Sequence, residues 1–432
     1  MPATHRPDDL GGPGRAGRPA RAAGRPSCRH AQAERSGLGP VVVAIPARDE
    51  AERIASCLHA LAAQTVVPDH IVLLLNNCAD PTAAVARRAP RHPATRLHIH
   101  AHTLPPALAS AGHARRLAME AAAALAGPSG LLLTTDADSR ADPQWIATAR
   151  AAIAAGADAV AGAIELDPAD WDKIPYVLHA DDARECAYDA LCDEITAILD
   201  PDPADPWPRH TSDAGASLAV TVSAYARAGG IPDLPTGEDR AFAAALRRID
   251  ARIRHAPECQ VFVSGRTEGR AQGGMADTIR RRLIAPDPYI DDRLEPVETC
   301  ARRAELRRLA RAAWQSHAAL LPLARRAGLD PARLRTLLDR PHFGAAWAAI
   351  EAVAPGLGRV RVPVADLARQ TARARELRDA LRETMPRASR FGDTTFGAIT
   401  PRNTAPGERT SRDTTPADTM PAFQVLAGAA DG

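Results

Sequence analysis

The sequence predicts an α/β protein: a mostly parallel sheet flanked by helices, with a helical C-terminal appendage. Three observations lead there. Between about residues 39 and 285, short apolar runs alternate with segments of helical spacing. The runs are solid rather than alternating, which marks strands buried on both faces. From about 286 to 391 the chain is rich in Arg, Ala and Leu at helical spacing and carries no strand signal.

The elements follow in order. VVVAI (41–45) reads as a strand, followed by a helix over about 49–64 with Ile54, Leu58 and Leu61 on one stripe. HIVLLL (70–75) precedes a short helix near 80–89. RLHIH (96–100) leads through TLPP to an Ala-rich helix over about 112–126. LLLTT (131–135) precedes a helix over about 143–155, and ADAVAGAIEL (157–166) is the next apolar stretch. Residues 168–212 read as a helical insertion with acids at Asp181, Asp182 and Glu185, closed by the Pro-rich PDPADPWPRH. Further helices are expected over about 331–338, 343–353 and 364–384. Residues 1–38 and 392–432 lack hydrophobic periodicity and are expected to be disordered tails.

Composition excludes several classes. With 54 basic and 52 acidic residues, the net charge of +2 offers no pull towards nucleic acid or an anionic membrane. Lys173 is the only lysine, so any chemistry that needs an amine has one candidate. Seven scattered cysteines without a CxxC argue against a disulfide framework or structural zinc. A cytoplasmic location is the expectation. No apolar stretch approaches the roughly 20 residues a membrane helix needs, and the Arg/Pro/Gly-rich start has no apolar core of a signal peptide.

The chemistry-bearing residues sit where strands end, the place where ligands bind in such sheets. LLLTTDADS puts Asp136 and Asp138 at a strand tip. Carboxylates are hard ligands, and two of them can hold Mg²⁺ or Mn²⁺, which then grips a diphosphate. IPARDEAERI follows the first strand; its Pro-Ala turn brings backbone near a ligand, and Asp49 and Glu50 open the next helix. Asn76 and Asn77 end the second strand, placed to bond a base or ribose or to form Asx-turns. PTGEDRAF puts Glu238 and Asp239 at a helix start, as an N-cap or a general base. Arg266 and Arg270 lie in a Gly-rich loop, where guanidinium groups suit phosphate. Trp207 and His210 read as packing residues before acceptor contacts. His98, His100 and His102 share a strand face but end a strand rather than build a metal site.

In this order, PARDE, DAD, GED and SLAVTVSAYARAGGIPDLPTGEDRAF resemble the family 2 glycosyltransferases of the GT-A fold. AGHARRLAM (111–119) is similar to the family's helix start that carries an arginine near the nucleotide. The resemblance covers about 39–285 and implies a nucleotide-binding sheet and a metal-dependent, inverting transfer of one sugar from a nucleotide-diphosphate sugar to an acceptor hydroxyl. It implies Mn²⁺ or Mg²⁺ at Asp138 with Asp136, the latter also near the ribose. Pro46, Ala47 and Glu50 would line the nucleotide pocket, and Asn77 would lie near the base or ribose. Arg115 or Arg116, with Arg266 and Arg270, would contact the nucleotide or its phosphates. Asp239 would be the general base, with Glu238 beside it. The acceptor would be a small molecule, lipid or glycan, and the chain could self-associate.

Two departures qualify this picture. Asn76 and Asn77 stand where the family usually has aspartates, and the QxxRW motif of processive synthases is absent. A phosphohydrolase or phosphotransferase would carry its DxD on the first strand, and a nucleotidyltransferase would show a basic Gly-rich loop there. A non-catalytic binding module of the same fold would not need both DAD and GED.

Overall fold

The computed structural model describes residues 37–269, 274–316 and 319–384. The expected tails lie outside these residues, except for Gly37 and Leu38, and so does Arg270. The strands are β1 (Val41–Ala47), β2 (His70–Asn76), β3 (Arg96–His102), β4 (Leu131–Thr134), β5 (Arg140–Ala141), β6 (Ala159–Leu166), β7 (Leu218–Thr221) and β8 (Ile253–Val263). They form one sheet in the order β3-β2-β1-β4-β7-β6-β8-β5. The β1–β2, β2–β3, β1–β4 and β6–β8 pairs are parallel. β7 lies antiparallel between β4 and β6, and β5 is antiparallel to β8.

Solid apolar strands follow from helices on both faces. In β1, Val41, Val43 and Ile45 pack with Leu58 and Leu61 of α1 (Ile54–Ala62) and with Trp145, which opens α4 (Trp145–Ala154). Val42 and Ala44 point the other way, to Ala118 and Met119 of α3 (Ala111–Ala126) and Phe242 of α7 (Glu238–Arg248). Alternate side chains of a strand point to opposite faces, so each face receives every second residue. α2 (Thr82–Arg88) follows β2, and α6 (Val222–Arg227) follows β7.

The first helix begins later than the sequence suggests, at Ile54. Asp49 adopts a left-handed backbone (φ 53), and its Oδ1 accepts the backbone N–H groups of Ala79 and Asp80. That residue ties the loops after β1 and β2 together instead of opening a helix. The third strand runs through His102, beyond the expected end. His98 does not gather with its neighbours; its Nε2 meets Nδ1 of His70 on β2 at 3.0 Å.

The insertion contains α5 (Tyr176–Leu199). Its Tyr188, Leu191 and Ile195 share a core with Ile290, Leu294, Val362 and Leu367. The Tyr188 hydroxyl donates to the Glu295 carbonyl at 2.7 Å. After α8 (Met275–Ile284) come α9 (Val297–Ser316), α10 (Leu320–Ala327), α11 (Pro331–Leu338), α12 (Phe343–Glu351) and α13 (Leu367–Thr384). Asp250 caps α12, its carboxylate accepting the N–H groups of Phe343 and Gly344 at 2.8 and 2.7 Å. A Cβ on Gly344 would lie 1.7 Å from the Arg247 carbonyl oxygen, so only glycine lets α12 sit this close to α7. Among the described residues, no helix is long and apolar enough to cross a membrane.

Candidate active site

The carboxyl ends of β1 and β4, the start of α7 and the loop after β8 enclose a cavity of about 360 Å³. Pro46, Ala47, Glu50, Arg115, Asp136, Asp138, Glu238, Asp239 and Arg266 all line it. Seven carboxyl and five guanidinium groups face the space among the described residues.

Each of the two strand-end aspartates has its own cation. Asp136 Oδ1 accepts from Arg115 Nη2 at 2.7 Å. Asp138 Oδ2 lies 3.0 Å from Arg266 Nη2. Burial pushes the Asp138 carboxyl up to about 7, with Arg266 opposing the rise and Asp136 and Glu50 adding to it. Arg266 also grips Glu50 with both Nη atoms, at 2.9 and 2.7 Å. Glu50 is held in turn by its backbone, whose N–H donates to Thr82 Oγ1 at 2.8 Å.

Arg115 is buried and spends its guanidinium on the protein. Nε donates to Glu238 Oε1 at 2.8 Å, and Nη1 donates to Thr134 Oγ1 and to the Gly215 carbonyl, both at 2.9 Å. A Cβ on Gly215 would come within 2.8 Å of the Arg115 Cζ, so the loop must be bare there. Burial raises the Glu238 carboxyl above its ordinary range, against the pull of Arg115. Asp239 is oriented by two backbone donors: the Gly215 N–H reaches Oδ2 at 2.8 Å and the Arg240 N–H reaches Oδ1 at 2.7 Å.

The structure separates the two arginines of ARR. Arg116 points away from the cavity, with Nε on Glu120 at 2.9 Å and Nη1 on Asp233 at 3.2 Å. The two asparagines part similarly. Asn77, at φ 52, does not line the cavity; its amide both donates to the Leu104 carbonyl and accepts the Leu104 N–H at 2.9 Å. That amide closes a loop. Asn76 lines the cavity instead; its Nδ2 donates to the Ser110 carbonyl at 3.1 Å, and its buried Oδ1 has no partner among the described residues. Trp207 and His210 are not in the lining.

Sequence reasoning missed Asp170, which is 1 % exposed. Its carboxylate accepts the Gly265 N–H at 2.9 Å and is held by Arg53 and Lys173 at 2.9 and 2.5 Å, fixing the loop that carries Arg266. It also missed Asp213, Asp291 and Arg293, which reach the cavity from the segment after residue 212 and from beyond residue 286. No motif announces them, because they meet the site only through the fold.

Asp138, Asp136 and Glu50 put carboxylate oxygens, the ligand type a hard divalent cation takes, on the cavity wall, but they do not converge within 4.8 Å as a three-residue set. A separate set, Asp49, Cys78 and Asp80, has ligand atoms within 4.8 Å of one another. Its members bond to loop backbone: the Asp49 N–H donates to Cys78 Sγ and the Ala51 N–H to Asp80 Oδ2.

Residues 39–192 match the family model described as "Glycosyltransferase like family 2". No curated protein matches the sequence significantly. Among solved structures, the chain is similar to Staphylococcus aureus TarS 1–349 in complex with UDP-GlcNAc, at 16% identity and TM-score 0.40, covering 74% of this chain and 90% of that one. It is similar to the mannosyltransferase PcManGT of Pyrobaculum calidifontis in complex with GDP-Man and Mn²⁺, at 18% identity and TM-score 0.37, covering 82% and 91%. It is also similar to glucosyl-3-phosphoglycerate synthase of Mycobacterium tuberculosis, at 14% identity and TM-score 0.36, covering 62% and 87%. Over residues 39–192, then, the chain is similar to the glycosyltransferase-like family 2 domains.

Proposed function

We propose that the protein transfers one sugar from a nucleotide-diphosphate sugar to an acceptor hydroxyl, with inversion, using Mn²⁺ or Mg²⁺. The observation that carries the reading is that Asp138 and Asp239 line one cavity, where Arg115 bonds their respective neighbours Asp136 and Glu238. Asp138, with Asp136, would hold the cation. When bound, that ion would neutralise the charge developing on the diphosphate leaving group. Pro46 and Ala47 would border the nucleotide, and Arg266 would face its phosphates.

Asp239 takes the acceptor proton. Its two backbone donors hold the carboxylate in place, so that an Oδ atom can face a hydroxyl without side-chain reorganisation. The hydroxyl oxygen attacks the anomeric carbon from the face opposite the diphosphate. Asp291 and Arg293, which also line the cavity, would border the acceptor.

The test is thermal stability with UDP, GDP, CDP and ADP, each with and without Mn²⁺. Ligand binding to the folded state raises the melting temperature. A rise with one diphosphate that needs Mn²⁺ and vanishes in Asp138→Ala is expected. No rise with any of the four overturns the reading.

A further inference from the structure

The Arg266 guanidinium already engages the carboxylate that would hold the cation. Arg266 Nη2 stands 3.0 Å from Asp138 Oδ2 and 2.7 Å from Glu50 Oε1. A Mg²⁺ or Ca²⁺-sized ion sits about 2.0–2.6 Å from a carboxylate oxygen. Placed on Asp138, it would lie against a fixed positive charge, and the two repel. Resting on the reading of the cavity as a cation and nucleotide site, we infer that Arg266 competes with the divalent cation for Asp138. A diphosphate settles the competition by taking the guanidinium. Cation and nucleoside diphosphate therefore enter as a linked pair, and the cavity discriminates against either one alone.

Three features of the loop fit this role. Its backbone is anchored: the Gly265 N–H donates to Asp170, and the Arg266 N–H donates to Ser264 Oγ at 3.3 Å. A Cβ at Gly265 would lie 2.7 Å from Leu166 Cδ1, so the anchor has no slack. The long Arg266 side chain can change partner while its Cα stays in place. Its side chain is 22% exposed, whereas that of Arg115 is 7% exposed. Arg115 is locked by four hydrogen bonds to four different residues; among the described residues, the Arg266 side chain holds carboxylates on the cavity wall. A planar guanidinium bonds phosphate oxygens in the same two-pronged way that it now bonds Glu50. Linkage is reciprocal, so a diphosphate that raises cation affinity is itself bound more tightly with the cation present.

The test is Mn²⁺ titration, followed by the electron spin resonance signal of free Mn²⁺, on the full chain and on Arg266→Gln and Arg266→Lys, each shown by melting to be folded. Titrations are run with Mn²⁺ alone and with UDP or GDP. The wild type is expected to bind Mn²⁺ alone at least about tenfold more weakly than with the diphosphate it prefers. Arg266→Gln is expected to bind Mn²⁺ alone about tenfold more tightly than the wild type and to lose most of the linkage. Arg266→Lys keeps the charge and should keep the binding of Mn²⁺ alone weak, while losing part of the diphosphate linkage with the guanidinium fork. Equal Mn²⁺ affinity of wild type and Arg266→Gln, with the ternary complex still forming, overturns the inference and leaves the proposed function standing. A gain shared by the Lys and Gln variants also overturns it, because charge would not be the cause. Binding of neither Mn²⁺ nor any diphosphate by any of the proteins overturns both.

Discussion

Arg115 bonds Asp136 and Glu238 with one guanidinium, at 2.7 and 2.8 Å. It thereby joins the tip of β4 to the first residue of α7. The aspartate pair of LLLTTDADS raises a question of charge balance, and the answer is two arginines from distant parts of the chain, Arg115 for Asp136 and Arg266 for Asp138.

Replacing Arg115 with Met leaves Glu238 buried without its cation. Breaking a buried pair from one side costs about 3–5 kcal/mol. Urea unfolding is expected to show a loss of that order, and steady-state assay a fall in kcat/KM of at least ~100-fold. Arg115→Lys should recover only part of it, since an ammonium cannot reach all four partners.

Asp239→Asn keeps the shape of the side chain but only one of its two backbone bonds, because the amide nitrogen cannot accept an N–H, and it cannot take a proton. Turnover is expected to fall by about 10²–10⁴-fold, with nucleoside diphosphate affinity unchanged by calorimetry. Wild-type turnover in this variant would remove Asp239 from the chemistry.

Burial, reinforced by nearby His255, lowers the His210 imidazole to about 3. The unfolded chain accepts that proton near pH 6.5, so acid favours unfolding. The stability tied to His210 is whole above pH 6.5 and erodes as pH falls towards 3, by about 3 kcal/mol at pH 4. His255 acts in the opposite sense: its bonds to Asp205 and Asp213 raise it against the lowering effect of burial, and its contribution is lost as pH rises. Denaturation curves between pH 6.5 and 4.5 should show a slope that His210→Asn flattens.

Asn77→Ala deletes both bonds to Leu104 and should cost about 1–3 kcal/mol of stability. Nucleotide affinity, read by calorimetry, should stay within about threefold of wild type because the amide lies outside the cavity lining. A large loss of affinity at constant stability would restore Asn77 to the base or ribose role that the sequence suggests.

The strands were legible because residues such as Val41 to Ile45 are apolar on both sides, and only a covered sheet explains that. DAD and GED were legible because acids at element ends are chemically conspicuous. The antiparallel β7 was harder, since LAVT is four residues long and its neighbours are set by the whole sheet. Asp49 misled because an acid before an apolar stripe suits a helix start, and its left-handed backbone comes from bonds to the next loop. Asp170 and Gly215 act through contacts with residues 95 and 100 positions away, a separation that no local pattern encodes.

Gly344 gives α7 a second meaning. That helix has eleven residues, a rod of about 16 Å at 1.5 Å per residue. Asp239 is near one end, and α12 rests against the other. Because α12 meets bare backbone there and is pinned by the Asp250 carboxylate, a displacement of the appendage would tilt the rod that carries the Asp239 carboxylate. A screen for altered turnover should therefore recover changes in 343–351 as well as in the cavity. Catalytic tuning in this chain would be partly a matter of leverage.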